Sequence, residues 1–187
     1  ALNPKGHSPK ESDKTQIVLH YSAGWQKSDK GLATLTVLNQ RGLSYHYIID
    51  VNGWVEQIVP DRVRAYHSSN ANTPSIGISL QNVGYGSSET KSSYGELASQ
   101  GGLKQGLNAH LVDWDGNETT YRNIAWAQEI TDAQLASLFK VFKNIKANNP
   151  TIPSYKWEGK KTYDILFPKG VSYNQSTPGL YTHCSIT

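Results

Sequence analysis

The side chains of this 187-residue sequence best able to ligate a metal or move a proton are six histidines, His7, His20, His46, His67, His110 and His183, with the lone cysteine Cys184. A histidine is more often hydrogen-bonded or solvated than ligating, so its position along the chain decides what chemistry it can do. His7 and His110 lie in polar, turn-rich stretches with nothing arranged around them. His20 directly follows the apolar run Ile17, Val18, Leu19 and precedes a glycine-containing turn. That pattern is a buried strand delivering an imidazole to the C-terminal rim of a sheet, a position suited to a ligand. His46 adjoins Tyr45 in "SYHY", where strand alternation sends the two side chains to opposite faces, so only one of them can share a site with His20. His183 and Cys184 fall in the closing "LYTHCSIT" and mean little without a partner elsewhere in the chain.

The elements that must position these residues can be read from periodicity. Residues 1–14 are polar, carry two prolines and show no period, which predicts a flexible or extended N-terminal arm. After the His20 strand, Leu32, Leu35 and Leu38 recur at helical spacing and Gly42 stands where a helix stops, although Thr34, Thr36 and Val37 are poor helix formers. "LSYHYIIDVNGWVEQIV" predicts a β-hairpin, because Asn52 and Gly53 between β-rich runs both tolerate positive φ. "SIGISLQNVG" reads as a further strand in which Gly77 permits close backbone approach. Residues 84–128 are Gly- and Ser-rich and read as a long insertion, with a possible small hairpin turning at "DWDGNE". The clearest helix starts at a Thr131/Gln134 capping box, runs with a stripe of Leu135, Leu138, Phe139, Phe142 and Ile145, and stops at Pro150.

Bulk properties exclude several classes. The length suits one domain with one sizeable core. A formal charge of +3 without Lys/Arg runs argues against a nucleic-acid partner. One cysteine makes no internal disulfide, and no apolar run reaches the roughly 20 residues needed to span a bilayer. The chain has no methionine and opens on Ala1, so an upstream segment is expected to have been removed.

Four motifs, "IVLHYSAG", "SYHYIIDVNGWVEQIVP", "RAYHSSNANTPSIGISL" and "THCSI", together resemble the type-2 N-acetylmuramoyl-L-alanine amidases, relatives of phage amidase lysozymes and peptidoglycan recognition proteins. The resemblance covers residues 15–83, the helix at 131–147 and residues 181–187, and the 84–128 insertion has no placed counterpart. It implies an α/β fold in a single domain over 15–187, a mixed central β-sheet flanked by helices. It also implies a zinc hydrolase that cuts the amide between N-acetylmuramic acid and the L-alanine of the peptidoglycan stem peptide, or a non-catalytic peptidoglycan-binding module of the same fold.

By the same resemblance His20 and His183 are zinc ligands, Tyr45 is the catalytic residue of the pair Tyr45/His46, and His67 and Asn72 line the muropeptide groove. Cys184 is a neighbour of the site and not a ligand. A catalytic zinc holds three protein ligands and one open position. The third family ligand, Cys or Asp, is expected beyond Thr187, in a continuation of the chain. Some members use a glutamate in the "SIGI" strand, where this sequence has Ser79, and that difference favours Tyr45 as the group that stabilises the oxyanion. The expected protein is a secreted, periplasmic or cell-wall-associated monomer, or a phage endolysin, with no membrane insertion.

Overall fold

The computed structural model describes residues 4–23, 28–82, 85–86, 103–105, 110–112, 118–120, 126–128, 130–154 and 173–183. Its centre is a five-stranded mixed sheet. The strands are β2 (Gln16–Tyr21), β3 (Tyr47–Ile49), β4 (Val55–Gln57), β6 (Ser75–Leu80) and β12 (Gly179–Thr182), in the spatial order β12-β2-β6-β3-β4. The first three pairings, β12 with β2, β2 with β6 and β6 with β3, are parallel, and β3 with β4 is antiparallel. A mixed sheet flanked by helices is what the motifs implied.

Among the described residues, one helix packs on each face of the sheet. Helix α2 (Asp132–Asn148) buries Leu138, Val141, Phe142 and Ile145 against Ile17, Leu19, Tyr47, Ile49, Ile76, Ile78 and Leu80. Each fully buried aliphatic side chain there contributes about 1.5–3 kcal/mol. The predicted capping box is present, with the Thr131 hydroxyl accepting from Gln134 N at 3.1 Å and Gln134 Oε1 accepting from Thr131 N at 3.2 Å. On the opposite face α1 (Leu32–Gln40) sets Leu35 and Leu38 against Ile48, Ile58, Val59 and Ala65. Leu32, counted on the same stripe, is 53% exposed. Packing of two leucines overrides the weak helix propensity of Thr34, Thr36 and Val37. Asp29 caps the helix by accepting from Gly31 N at 3.0 Å and Ala33 N at 2.8 Å.

Three expectations change in detail. Residues 7–11, expected within a flexible arm, form β1 (His7–Glu11), paired antiparallel with β5 (Val63–Ala65). The arm lacks apolar period because backbone pairing holds it, together with Lys14, whose buried ammonium donates to Thr73 O at 2.9 Å and Ser12 Oγ at 3.1 Å. The hairpin joins β3 to β4 through residues 50–54, and only Gly53 takes a left-handed conformation, at φ +79°. Asp50 organises that turn, its Oδ1 accepting from Asn52 N and Trp54 N at 2.9 Å each. In the 84–128 segment, β9 (His110–Val112) and β10 (Glu118–Thr120) pair antiparallel, with Val112 opposite Glu118, the last residue of "DWDGNE", as a hairpin there requires. The same segment holds β7 (Tyr85–Gly86), β8 (Leu103–Gln105) and β11 (Trp126–Gln128), which form a separate sheet in the order β7-β11-β8. Cys184 lies outside the described residues. Among the described residues, no helix is long and apolar enough to cross a membrane.

Candidate active site and metal centre

The register of the parallel strands decides which side chains meet. Val18 pairs with Gly77 and His20 with Ser79 across β2 and β6, while Tyr181 of β12 pairs with Val18. Parallel partners point to the same face and successive residues alternate. Ile17, Leu19, Ile76, Ile78 and Leu80 therefore enter the core beneath α2, and Val18, His20, Gly77, Ser79 and Tyr181 occupy the other face. His183 follows β12 by one residue and arrives beside His20, ring centroids 4.9 Å apart. Tyr45 stands on another side of the same imidazole, at 4.7 Å. His20 is buried and His183 is exposed at the rim. With His67 at 5.2 Å on a further side, the structure brings four of the five residues singled out in the sequence together, His183, Tyr45 and His67 around the ring of His20.

Tyr45 and His46 do not divide between the faces as alternation predicted. The strand begins only at Tyr47, and both rings face His67, Tyr45 at 6.2 Å and His46 at 5.8 Å. His46 is nevertheless no ligand, because its imidazole is saturated by backbone. Its Nδ1 accepts from Gly77 N at 2.9 Å and its Nε2 donates to Val63 O at 2.9 Å. The bonded partners fix the neutral tautomer, since an amide can only donate and a carbonyl can only accept.

His67 and Asn72, expected to line a groove, are engaged within the protein. Asn72 Oδ1 accepts from His67 N at 2.8 Å and Ser68 N at 2.6 Å, which closes the loop between β5 and β6. His67 is buried, its Nδ1 3.1 Å from His20 Nε2 and its Nε2 3.3 Å from Ser75 Oγ. Gly77 makes room for this ring: a Cβ there would stand 2.7 Å from His67 Cγ, so the predicted close approach at Gly77 is an approach to an imidazole. Ser75 went unnoticed in the sequence. Its signal is the alternation Ser75, Gly77, Ser79 against Ile76, Ile78, Leu80 in β6, which marks a face kept small where histidines pack.

Burial keeps these rings neutral. It pushes His20 well below the usual histidine value, assisted by the nearby His183, and pushes His67 the same way, with His20 and His46 adding to the shift. His183, although exposed at the rim, is lowered as well, by the partial burial of its ring. A neutral imidazole retains one lone pair, which is the form that ligates a metal. Tyr45 is raised to about 12, chiefly by burial, with Ser79 and Arg41 opposing. Its phenol therefore remains an O–H donor at neutral pH. Two neutral imidazoles side by side fit two positions of a zinc site. Among the described residues no third His, Cys, Asp or Glu completes the set.

The chain matches the family model described as N-acetylmuramoyl-L-alanine amidase over residues 11–166, a span that takes in His20, Tyr45, His67 and Asn72 and ends before His183. No curated protein matches it. Among solved structures it is similar to Drosophila PGRP-LB, with a TM-score of 0.52 and 11% identity over 99% of this chain and 78% of that one. It is similar to the N-acetylmuramoyl-L-alanine amidase LysC from Clostridium intestinale, with a TM-score of 0.50 and 14% identity over 97% of this chain and 76% of that one. AmiD from E. coli, solved with the substrate anhydro-N-acetylmuramic acid-L-Ala-D-gamma-Glu-L-Lys, is 21% identical over 74% of this chain, with a TM-score of 0.44. The present chain spans only 44% of AmiD. At these identities the likeness to PGRP-LB and LysC shows a shared fold.

Proposed function

Because the chain belongs to the N-acetylmuramoyl-L-alanine amidase family, we propose that it hydrolyses, with zinc, the amide joining N-acetylmuramic acid to the L-alanine of the peptidoglycan stem peptide. The observation that carries this reading is the convergence of His183 and Tyr45 on His20, at 4.9 and 4.7 Å between ring centroids. His20 and His183 would hold the ion, and its third protein ligand lies outside the described residues. A zinc ion bound there supplies Lewis-acid polarisation of the scissile carbonyl and a water of lowered pKa.

The chain's own groups do the rest. The Tyr45 hydroxyl, kept protonated by its raised pKa, donates to the carbonyl oxygen as negative charge develops on it. Such a preorganised donor in a partly desolvated site is worth about 3–4 kcal/mol of transition-state stabilisation. Ser79 leaves no carboxylate on β6 beside His20 to act as a competing base. The substrate is a muropeptide or intact peptidoglycan, which places the protein's work in the periplasm, at the cell wall or in a secreted or phage-borne enzyme acting as a monomer. The test is incubation of the full-length protein with purified muropeptide, before and after chelation and zinc repletion. The expected products are free stem peptide with an N-terminal alanine and peptide-free N-acetylmuramic acid. Tight muropeptide binding without cleavage by the zinc-loaded protein would overturn the proposal in favour of a binding module.

A further inference from the structure

The hydrogen bonds behind His20 form an ordered chain whose protons can be assigned from its far end. The Ser75 hydroxyl lies within hydrogen-bond reach of Ala71 O, a carbonyl that can only accept, so its single proton points there. Ser75 Oγ can then only accept from His67 Nε2, at 3.3 Å, which puts the His67 proton on Nε2. His67 Nδ1 is left as an acceptor facing His20 Nε2 at 3.1 Å, so the His20 proton sits on Nε2. What remains on His20 is an unprotonated Nδ1. We propose that His67 and Ser75 are positioning residues that hold His20 in the Nε2–H tautomer, so that Nδ1 is the nitrogen offered to the metal.

The surroundings are built for this bond. Gly77 leaves room for the His67 ring that no other residue would leave, with a Cβ falling 2.7–2.9 Å from three of its atoms. The His67 backbone is fixed separately by Asn72, whose Oδ1 accepts from His67 N at 2.8 Å. Ser68, at the N-cap of the intervening short 3-10 turn, and Ala71, within it, are likewise buried. A ligand imidazole whose second nitrogen is hydrogen-bonded has a fixed ring orientation, and loss of such a partner typically costs 10–100-fold in metal affinity. The inference rests on the zinc reading for its purpose, but the tautomer can be measured without metal.

In metal-free, 15N-histidine-labelled protein, long-range 1H–15N spectra report which ring nitrogen of His20 and His67 carries the proton. The expected result is Nε2–H at both. Ser75→Ala, which removes only the terminal acceptor, should convert both rings to tautomeric mixtures and weaken zinc binding, read by competition with a chromophoric chelator. His67→Leu should weaken zinc binding by 10–100-fold, and His67→Gln, which restores an acceptor for His20, should recover part of the loss. Nδ1–H at His20 in the wild type overturns the proposal, as does a Ser75→Ala protein with unchanged tautomers. If the wild type binds no zinc, the zinc reading fails while the tautomer measurement still decides this one.

Discussion

His20 pairs directly with Ser79 across the parallel ladder of β2 and β6. The Ser79 hydroxyl is buried close enough to Tyr45 to oppose the rise of the tyrosine's pKa, yet among the described residues it makes no hydrogen bond of normal geometry. A glutamate at that position, which the family resemblance implies for other members, would bury a carboxylate beside the candidate ligand. With a serine there, Tyr45 is the proton donor proposed for this rim.

Tyr45→Phe should therefore reduce kcat on muropeptide by about 10² to 10³, the cost of one oxyanion donor. The ring stays in place, so zinc content and thermal stability should match the wild type. An unimpaired Tyr45→Phe enzyme would move the donor role to another group.

Replacing His20 or His183 with alanine should each remove stoichiometric zinc from the full-length protein, as read by atomic emission after gel filtration. The two variants are expected to differ in stability. His20 is buried against His67 and Tyr45, whereas His183 is exposed, so His20→Ala should lower Tm more. One zinc retained by both variants would contradict the ligand assignment.

The acid side of the stability profile follows from the buried imidazoles. Burial lowers His46 to about 3 and holds His20 and His67 well below their ordinary value, whereas in the unfolded chain all three titrate near about 6.5. Below about 6.5 the unfolded state binds more protons than the folded one. Stability contributed by the neutral rings is thus complete above that pH and falls as the solution is acidified, by about 1.4 kcal/mol per pH unit for each histidine. For His46 the decline runs from about 6.5 down to about 3. Urea midpoints of metal-free protein should be lower at pH 5.5 than at pH 7.5. Equal midpoints would mean that these rings are solvated.

Much of the site was legible because it follows local rules. The apolar run before His20 marked a buried strand, the capping box at Thr131 marked a helix, and Gly77 marked a close approach. The missed features are those set by tertiary partners. Alternation failed at Tyr45 and His46 because it holds only inside a paired strand, and β3 begins one residue later. The chain from Ser75 through His67 to His20 joins residues 55 positions apart at its ends, counted from 20 to 75, and no local period announces it. The ordering of residues 7–14 was hidden for a related reason, since a strand pinned by backbone bonds to β5 needs no apolar alternation of its own.

Gly77 provides the last test, because it serves two histidines at once. Its amide donates to His46 Nδ1 at 2.9 Å, its carbonyl accepts from His46 N at 2.9 Å, and its missing side chain leaves room for the His67 ring. Gly77→Ala would place a methyl 2.7 Å from His67 Cγ, so either the ring or the strand must move. Overpacking of this kind costs about 1–3 kcal/mol. The cause can be isolated with a double-mutant cycle: if the methyl clashes with the imidazole, Gly77→Ala should cost much less in a His67→Ala background, and the two changes should be strongly non-additive. Urea unfolding of the four proteins measures this directly. Additive effects would show that Gly77 is required by the strand itself and not by the histidine it faces.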